Sequence, residues 1–339
     1  MKWHSCRGFF RKLRPDLRAC YIQILASETF NFVSSNGCTW LECSAFAEVP
    51  WLVHAFGARQ GGESKVEPAG HDSAASAVAG HARAEHKRRR FLQALGVGDL
   101  PLAVLHQTHS TLIYCVSPGS GGALQYQLAG SFLPETGQPL RARSGDAMMT
   151  KYSGILLGVR VADCMPILIA DREKRAIAAV HAGWRGALNR IIEKTAGEMC
   201  RMFGSRPQNL MAAIGPSIRA CCYEVGPEVV DAFCGSFPSG EEFFCKVPIT
   251  QEESRVALRY QTLFMLQAPP GHQPEEQSRV HLDLAAVARW QLEHAGIPHA
   301  QIYVADYCTA CRTDLFYSYR KEGSLAGRMM AVIGLRPAS

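Results

Sequence analysis

Three side chains able to bind a transition metal stand at breaks in the apolar pattern of this chain: His109, Cys164 and His181. Cys164 lies in Val161-Ala162-Asp163-Cys164-Met165-Pro166, between two apolar runs. A thiol, an acid and a turn-forming proline therefore share a strand end, where functional groups gather. His181 closes the run Ala178-Ala179-Val180 and is followed by Ala182-Gly183-Trp184-Arg185-Gly186, where a strand gives way through glycines to a helix. Both side chains can converge at one sheet edge. If residues 107–109 are a strand, Gln107 and His109 point to the same side, because side chains alternate with a period of two. Imidazole and thiolate are the donors zinc prefers, and three protein ligands leave the fourth tetrahedral position open for water or substrate. Taken singly, a buried Cys is more often packing and a His beside apolar strands more often a satisfied core residue. The spacing matches no short zinc-finger motif, so the residue types alone leave both readings open.

The elements that must position these residues follow from hydrophobic period. Residues 155–161, 166–170 and 176–180 are apolar runs of strand length, with the polar turn Asp171-Arg172-Glu173-Lys174 before the third. Residues 184–203 place Leu188, Ile192, Met199 and Phe203 on one helical face and stop at Gly204. A helix is expected over 73–95, ending at Gly96, and another over 282–294, ending at Gly296. Strands are expected at 21–25, 40–43, 51–56, 102–105, 112–116, 210–214, 302–305 and 329–333. Residues 59–72 read as a polar loop, and 117–143 as a Gly/Pro/Gln-rich surface insertion. No repeat of fixed period is present.

Composition narrows the class. With 47% hydrophobic and 19% charged residues the chain is globular. Its formal charge of +6 comes almost wholly from residues 1–18, which hold six Lys/Arg against one acid. The folded part is thus nearly neutral, which argues against a nucleic-acid footprint. The run Lys87-Arg88-Arg89-Arg90 reads as the solvated face of a helix. Thirteen cysteines without regular spacing, and no leader with an apolar centre, fit reduced thiols in a cytoplasm. No apolar run approaches the roughly 18 residues needed to cross a bilayer. Cys308-x-x-Cys311 has the spacing of a redox pair or a metal half-site, but without a second Cys-x-x-Cys it reads as packing.

The residues quoted so far belong to a longer ordered set. Gln107-x-His109, Gly145-Asp146-Ala147, Ala162-Asp163-Cys164-x-Pro166 and His181-Ala182-Gly183-Trp184-Arg185-Gly186 are followed by Ala213-Ile214-Gly215-Pro216, Tyr223-Glu224-Val225-Gly226, Leu282-Asp283-Leu284, Cys308-Thr309, Phe316-Tyr317-Ser318-Tyr319-Arg320 and Gly327-Arg328. From about Trp51 to Leu335 this series resembles the YfiH or laccase-domain family, whose members carry the older name polyphenol oxidase. Each motif is weak alone, and the order makes the set specific.

The resemblance implies a YfiH-like α+β fold, a single domain of mixed β-sheets flanked by helices. It divides the chain into a basic N-terminal extension at 1–44, disordered in part or carrying short strands, and a catalytic domain at 45–337 interrupted near 117–143. It implies zinc on His109, Cys164 and His181, with copper as the alternative ion. The implied substrates are purine nucleosides and inorganic phosphate: phosphorolysis of adenosine, inosine and methylthioadenosine, and deamination of adenosine. Within that chemistry Asp163 is a candidate proton carrier or orienting residue, set against a plain turn-forming role. Arg185, where a helix begins, is a candidate phosphate ligand set against a structural ion pair or a solvent-facing residue. Arg320 and Arg328 read equally well as structural ion pairs. The chain departs from the family by its insertion, its basic start and Ser217, where many members have Cys. Three readings compete: a copper oxidase of phenols, a Cys164–His181 thiol hydrolase or deamidase, and a non-enzymatic binding protein.

Overall fold

The continuous apolar runs at 166–170, 176–180, 210–214 and 329–333 become strands buried along their whole length. The computed structural model describes residues 29–60, 74–130, 143–248 and 278–337. In chain order its strands are β1 (Phe30–Ser35), β2 (Cys38–Cys43), β3 (Leu52–Gly57), β4 (Leu102–Ala103), β5 (Ile113–Pro118), β6 (Leu124–Ala129), β7 (Ala147–Thr150), β8 (Leu156–Val161), β9 (Met165–Asp171), β10 (Ala176–Ala182), β11 (Leu210–Ile214), β12 (Phe244–Pro248), β13 (Ser278–Leu282), β14 (Ile302–Val304) and β15 (Met329–Leu335). The helices are α1 (Ser44–Ala47), α2 (Ala74–Ala94), α3 (Trp184–Leu188), α4 (Ile191–Phe203), α5 (Pro227–Ser236), α6 (Leu284–His294) and α7 (Tyr319–Glu322). The strand expected at 21–25 and most of the loop at 59–72 lie outside the described residues.

Among the described residues, those from Thr29 to Arg219 and from Leu284 onward belong to one compact unit, and those within Ala220–Asp283 belong to a second. The mixed β-sheets flanked by helices expected from the sequence are found in the larger unit. That unit holds a six-stranded sheet of order β1-β2-β3-β15-β8-β4 and a seven-stranded sheet of order β14-β11-β9-β10-β7-β5-β6. Their inner faces meet where Leu157 and Val159 of β8 and Ala331 and Ile333 of β15 share a core with Leu168, Ala170, Ile177 and Ala179 of β9 and β10. The outer faces are covered by helices. Phe91 and Leu92 of α2 pack on Trp40, Val53 and Val332, and α4 lies on β10. The result is four layers, the arrangement that buries both faces of each sheet. Each fully buried Leu, Ile or Phe contributes about 1.5–3 kcal/mol of transfer free energy. Residues 30–43, assigned by sequence to the N-terminal extension, supply β1 and β2 of the six-stranded sheet.

The β9–β10 hairpin sets the site. Asp171 Oδ1 accepts from the N–H groups of Glu173 and Lys174, so the predicted polar turn folds on its own first residue. Antiparallel register then pairs His181 with Pro166, two residues from Cys164, at the open end of the hairpin.

The helix expected over 184–203 is two helices. Arg190 between them has φ 62°, and a buried amide explains the break. Gln291 of α6 donates to the Ala187 carbonyl at the end of α3 and accepts from the Glu193 N–H at the start of α4. One side chain thus satisfies backbone groups that helix ends leave unpaired.

The 117–143 excursion is also partly regular. β6 pairs antiparallel with β5 at the edge of the seven-stranded sheet, exposing Gln125 and Gln127 in alternation. Residues 131–142 lie outside the described residues.

In the smaller unit β12 and β13 pair antiparallel, and α5 starts on Pro227, a residue preorganised for a first helical turn. Phe233 packs against Phe237, Phe243 and Phe244 with ring centroids 5.5–6.4 Å apart. Among the described residues no helix is long and apolar enough to cross a membrane.

Candidate metal centre

The structure brings the three predicted ligands together. One donor atom from each of His109, Cys164 and His181 lies within 4.8 Å of the others. Cys164 Sγ is 3.7 Å from His109 Nε2, and the two imidazole centroids are 5.0 Å apart. His181 is buried, Cys164 half-buried and His109 exposed.

Two of the candidate ligands come from the ends of strands and one does not. His181 sits on β10 and Cys164 immediately before β9, as expected. His109 is not on a strand: residues 104–112 are irregular apart from a single bridge between His106 and Ser144, and His109 has φ 58°. The left-handed region is sparsely populated by residues other than glycine and needs surroundings that enforce it.

Asp146 enforces it. This carboxylate, between Gly145 and the start of β7, accepts from the consecutive N–H groups of Thr108, His109 and Ser110 and from the Ser110 hydroxyl, at 2.6–3.2 Å. The same carboxylate accepts from His181 Nδ1 at 2.8 Å. Donation from Nδ1 leaves Nε2 of His181 to face the cluster. Sheet order explains the placement: β7 lies between β10 and β5, so the residue ahead of β7 reaches both the end of β10 and the loop ahead of β5. Burial pushes the Asp146 carboxyl up, but the hydrogen bond and charge of His181 and the bonds from Ser110 hold it below the usual carboxylate range.

Gln107 has a different task from the one its shared strand face implied. Its amide donates to the Arg160 carbonyl and accepts from the Arg160 N–H, both at 2.8 Å. The side chain mimics a strand partner and ties the loop to β8. Gly183 supplies clearance, since a Cβ there would stand 2.9 Å from His109 Cδ2 and 3.0 Å from Cys164 Sγ. Asp146 stands within the Gly145-Asp146-Ala147 motif, but its role is not legible in the sequence. The signal was an acid directly ahead of an apolar run, which marks a strand entrance and not its partners.

The cluster's own electrostatics favour deprotonated sulfur. Burial raises the Cys164 thiol, but the hydrogen bonds and charges of His109 and His181 overcome that and bring it to about 6. Burial pulls His181 down, and its bonds to Asp146 and Cys164 reverse this and lift it to about 9. Two imidazole nitrogens and a thiolate within this span fit a tetrahedral zinc ion, whose bonds to N and S are about 2.0–2.3 Å, with the exposed His109 side left for a fourth ligand.

The other two predicted residues differ in their surroundings. Asp163, at φ 86°, has its carboxylate engaged: Oδ1 accepts from the Thr309 hydroxyl and Oδ2 from the Arg320 N–H, both at 2.6 Å. Its carbonyl accepts from the Ile218 N–H, so the residue ahead of Cys164 is fastened on three sides. Arg185 is exposed and its guanidinium lies 4.5 Å from the Trp184 ring centroid. Helix α3 is a single short segment, so an anion there would be held by the side chain. Cys308 is buried and Cys311 exposed, with their sulfurs within 4.8 Å of each other; packing accounts for the first thiol and not the second.

Comparison with known proteins identifies the family. The family model described as multi-copper polyphenol oxidoreductase laccase matches residues 53–336. A purine nucleoside phosphorylase of Deinococcus radiodurans is 32% identical over 285 residues, 84% of this chain and 89% of that protein. One from Bacteroides thetaiotaomicron is 30% identical over 287 residues, 83% and 91% of the two chains. An adenosine deaminase, RL5, of an unknown prokaryotic organism is 34% identical over 183 residues, 54% of this chain and 59% of that protein's length. Among solved structures, YlmD of Geobacillus stearothermophilus superposes with TM-score 0.65 at 25% identity, covering 91% of this chain and 99% of that one. A hypothetical protein YfiH of Bacillus licheniformis gives the same TM-score and identity over 90% and 99%. The fold, the ordered motifs and this match over most of the sequence lead to one conclusion: the chain belongs to the laccase-domain family, alongside YfiH and YlmD.

Proposed function

We propose that this chain is a zinc-dependent purine nucleoside enzyme of the cytoplasm. It cleaves adenosine, inosine and S-methyl-5'-thioadenosine with inorganic phosphate, giving free base and (methylthio)ribose 1-phosphate, and it hydrolyses adenosine to inosine. The observation that carries this reading is the convergence of His109, Cys164 and His181 with one imidazole left exposed. The names of the relatives support the substrate class. A zinc ion held by these residues supplies Lewis acidity, which brings the pKa of water towards neutrality.

The residues of the chain do the rest. Asp146 fixes the ring of His181 and the backbone that carries His109. With both carboxylate oxygens engaged, Asp163 serves as a positioning residue for Cys164; the proton-carrier role is the weaker of its two readings. Asp163→Asn is therefore expected to weaken zinc binding together with turnover, and lost turnover with zinc intact would restore the proton-carrier role. Arg185 binds the attacking phosphate through its guanidinium. Arg185→Ala is expected to raise the apparent KM for phosphate about tenfold, in line with about 1.5 kcal/mol for a charge-assisted hydrogen bond, while sparing deamination.

The direct test is to incubate the purified protein with adenosine and with inosine, with and without phosphate, and to separate the products. Free base that appears only with phosphate supports phosphorolysis, and inosine formed from adenosine without phosphate supports deamination. No nucleoside turnover in any arm contradicts the proposal.

One observation favours a second reading. A thiolate paired with an imidazolium is also the state of a cysteine nucleophile, and Cys164 and His181 are displaced in those directions. Chelation separates the two, because a thiol hydrolase survives removal of the ion. Multicopper oxidation of phenols finds less support: it needs several histidine-rich sites, and among the described residues one histidine-containing group of three ligands comes within reach of a common ion. Nucleoside turnover under anaerobic conditions distinguishes that chemistry.

A further inference from the structure

Cys308 and Cys311 take no part in the nucleoside chemistry above, yet the backbone folds them towards each other. Beyond β14, Cys308 pairs through a single bridge with Ser217, and the Thr309 N–H donates to the Ser217 carbonyl at 3.1 Å. The chain then turns so that the Arg312 N–H donates to the Cys308 carbonyl at 3.0 Å. This turn brings the two sulfurs within 4.8 Å, with Cys308 buried and Cys311 exposed. Two thiolates on one tetrahedral zinc ion, each about 2.3 Å from the metal, stand roughly 3.8 Å apart. The turn is thus already close to the span that a bound ion would set. Cys-x-x-Cys is also the ligand spacing that structural zinc sites use.

We propose that the Cys308–Cys311 turn binds a second zinc ion in a structural role, separate from the His109–Cys164–His181 centre. The two thiolates fill two coordination positions, and donors from outside the turn fill the others. The turn also carries Thr309, whose hydroxyl holds Asp163 beside Cys164. An ion here therefore stiffens the segment that positions a ligand of the first centre.

The test is metal content measured by inductively coupled plasma mass spectrometry on full-length protein purified with zinc and dialysed against metal-free buffer. Native protein is expected to hold two equivalents of zinc. Cys311→Ser should hold one, and so should Cys164→Ser, because each loses a different ion. Cys311 is exposed, so its serine variant is expected to fold, which far-ultraviolet circular dichroism checks. Cobalt(II) titration of native apoprotein gives an independent reading, with two saturable classes of thiolate-to-cobalt absorption expected and the one from the 308–311 turn missing in Cys311→Ser. Serine replacement of the remaining cysteines should reproduce the loss at the positions that complete the coordination. One zinc per chain, retained in Cys311→Ser and lost in Cys164→Ser, would overturn the second site and leave the first standing. A disulfide between Cys308 and Cys311 in protein purified under reducing conditions, found by peptide mass spectrometry, would overturn it too.

Discussion

The β9–β10 hairpin and the loop at 104–112 deliver candidate ligands to the same point by opposite means. In the hairpin, backbone pairing fixes Cys164 and His181: strands buried on both sides set the register, and His181 falls opposite Pro166. In the loop no ladder exists. His109 is held in a left-handed conformation by three N–H bonds to Asp146. A ligand on a strand inherits its precision from the core, whereas a ligand on a loop needs a dedicated acceptor. Here that acceptor is also bonded to His181, so the weaker arm is tied to the stronger one.

That contrast predicts unequal costs for substitutions. Asp146→Ala should do the most damage, since it frees the loop and His181 at once. Outer-shell partners of metal ligands typically carry 10–100-fold in affinity, and the loss of one that serves two ligands is expected at about 100-fold or beyond, read by competition with a chromogenic chelator. Asp146→Asn keeps an acceptor and should recover part of that loss. Gly183→Ala comes next. Its new Cβ falls at 2.9 Å from His109 and 3.0 Å from Cys164, and the loop is the side that gives, so zinc affinity should fall about tenfold with the hairpin unchanged. Equal displacement of Cys164 and His109 in a crystal structure of that variant would erase the distinction between the arms.

Gln107→Ala should act mainly on stability. It removes the two hydrogen bonds between its amide and the Arg160 backbone, each contributing about 0.5–1.5 kcal/mol, with only a few-fold change in zinc affinity because Asp146 still holds the loop. Thermal melts alongside chelator competition separate the two effects.

The scaffold supplies a control that should leave the metal alone. His54 on β3 is 3% exposed, its Nε2 accepts from the Cys43 N–H at 2.8 Å, and burial depresses its pKa from 6.5 to about 4. The unfolded chain therefore takes up this proton first as pH falls. Stability present above pH 6.5 is lost progressively down to about pH 4, by about 3 kcal/mol at 1.36 kcal/mol per pKa unit. His54→Gln should flatten that part of the pH profile in denaturant melts and leave zinc affinity unchanged.

The same contrast separates what could be read from the sequence from what could not. Strands β8, β9 and β10 were legible because burial on both faces leaves an unbroken apolar run. The ends of those runs, where Cys164 and His181 break the pattern, marked the site. The conformation at His109 was not legible, because the group that imposes it is 37 positions away, and adjacent residues carry no trace of that acceptor. The break after α3 was hidden for the same reason, being set by Gln291 from another helix. Strand β6 was missed although Leu124-Gln125-Tyr126-Gln127-Leu128 alternates with a period of two, because its glutamines and flanking glycines resemble a loop in composition. The second compact unit at 220–283 leaves little periodic signal, since its described elements are short.

The central claim is that His109, Cys164 and His181 close on one ion and leave it an open position. A zinc anomalous difference map from crystals of the native protein measures this most directly. The account predicts a peak about 2.0–2.3 Å from two imidazole nitrogens and Cys164 Sγ, with His181 bound through Nε2 and the fourth side facing solvent. No peak among these three residues, or a peak with a fourth protein ligand closing the coordination, would contradict it.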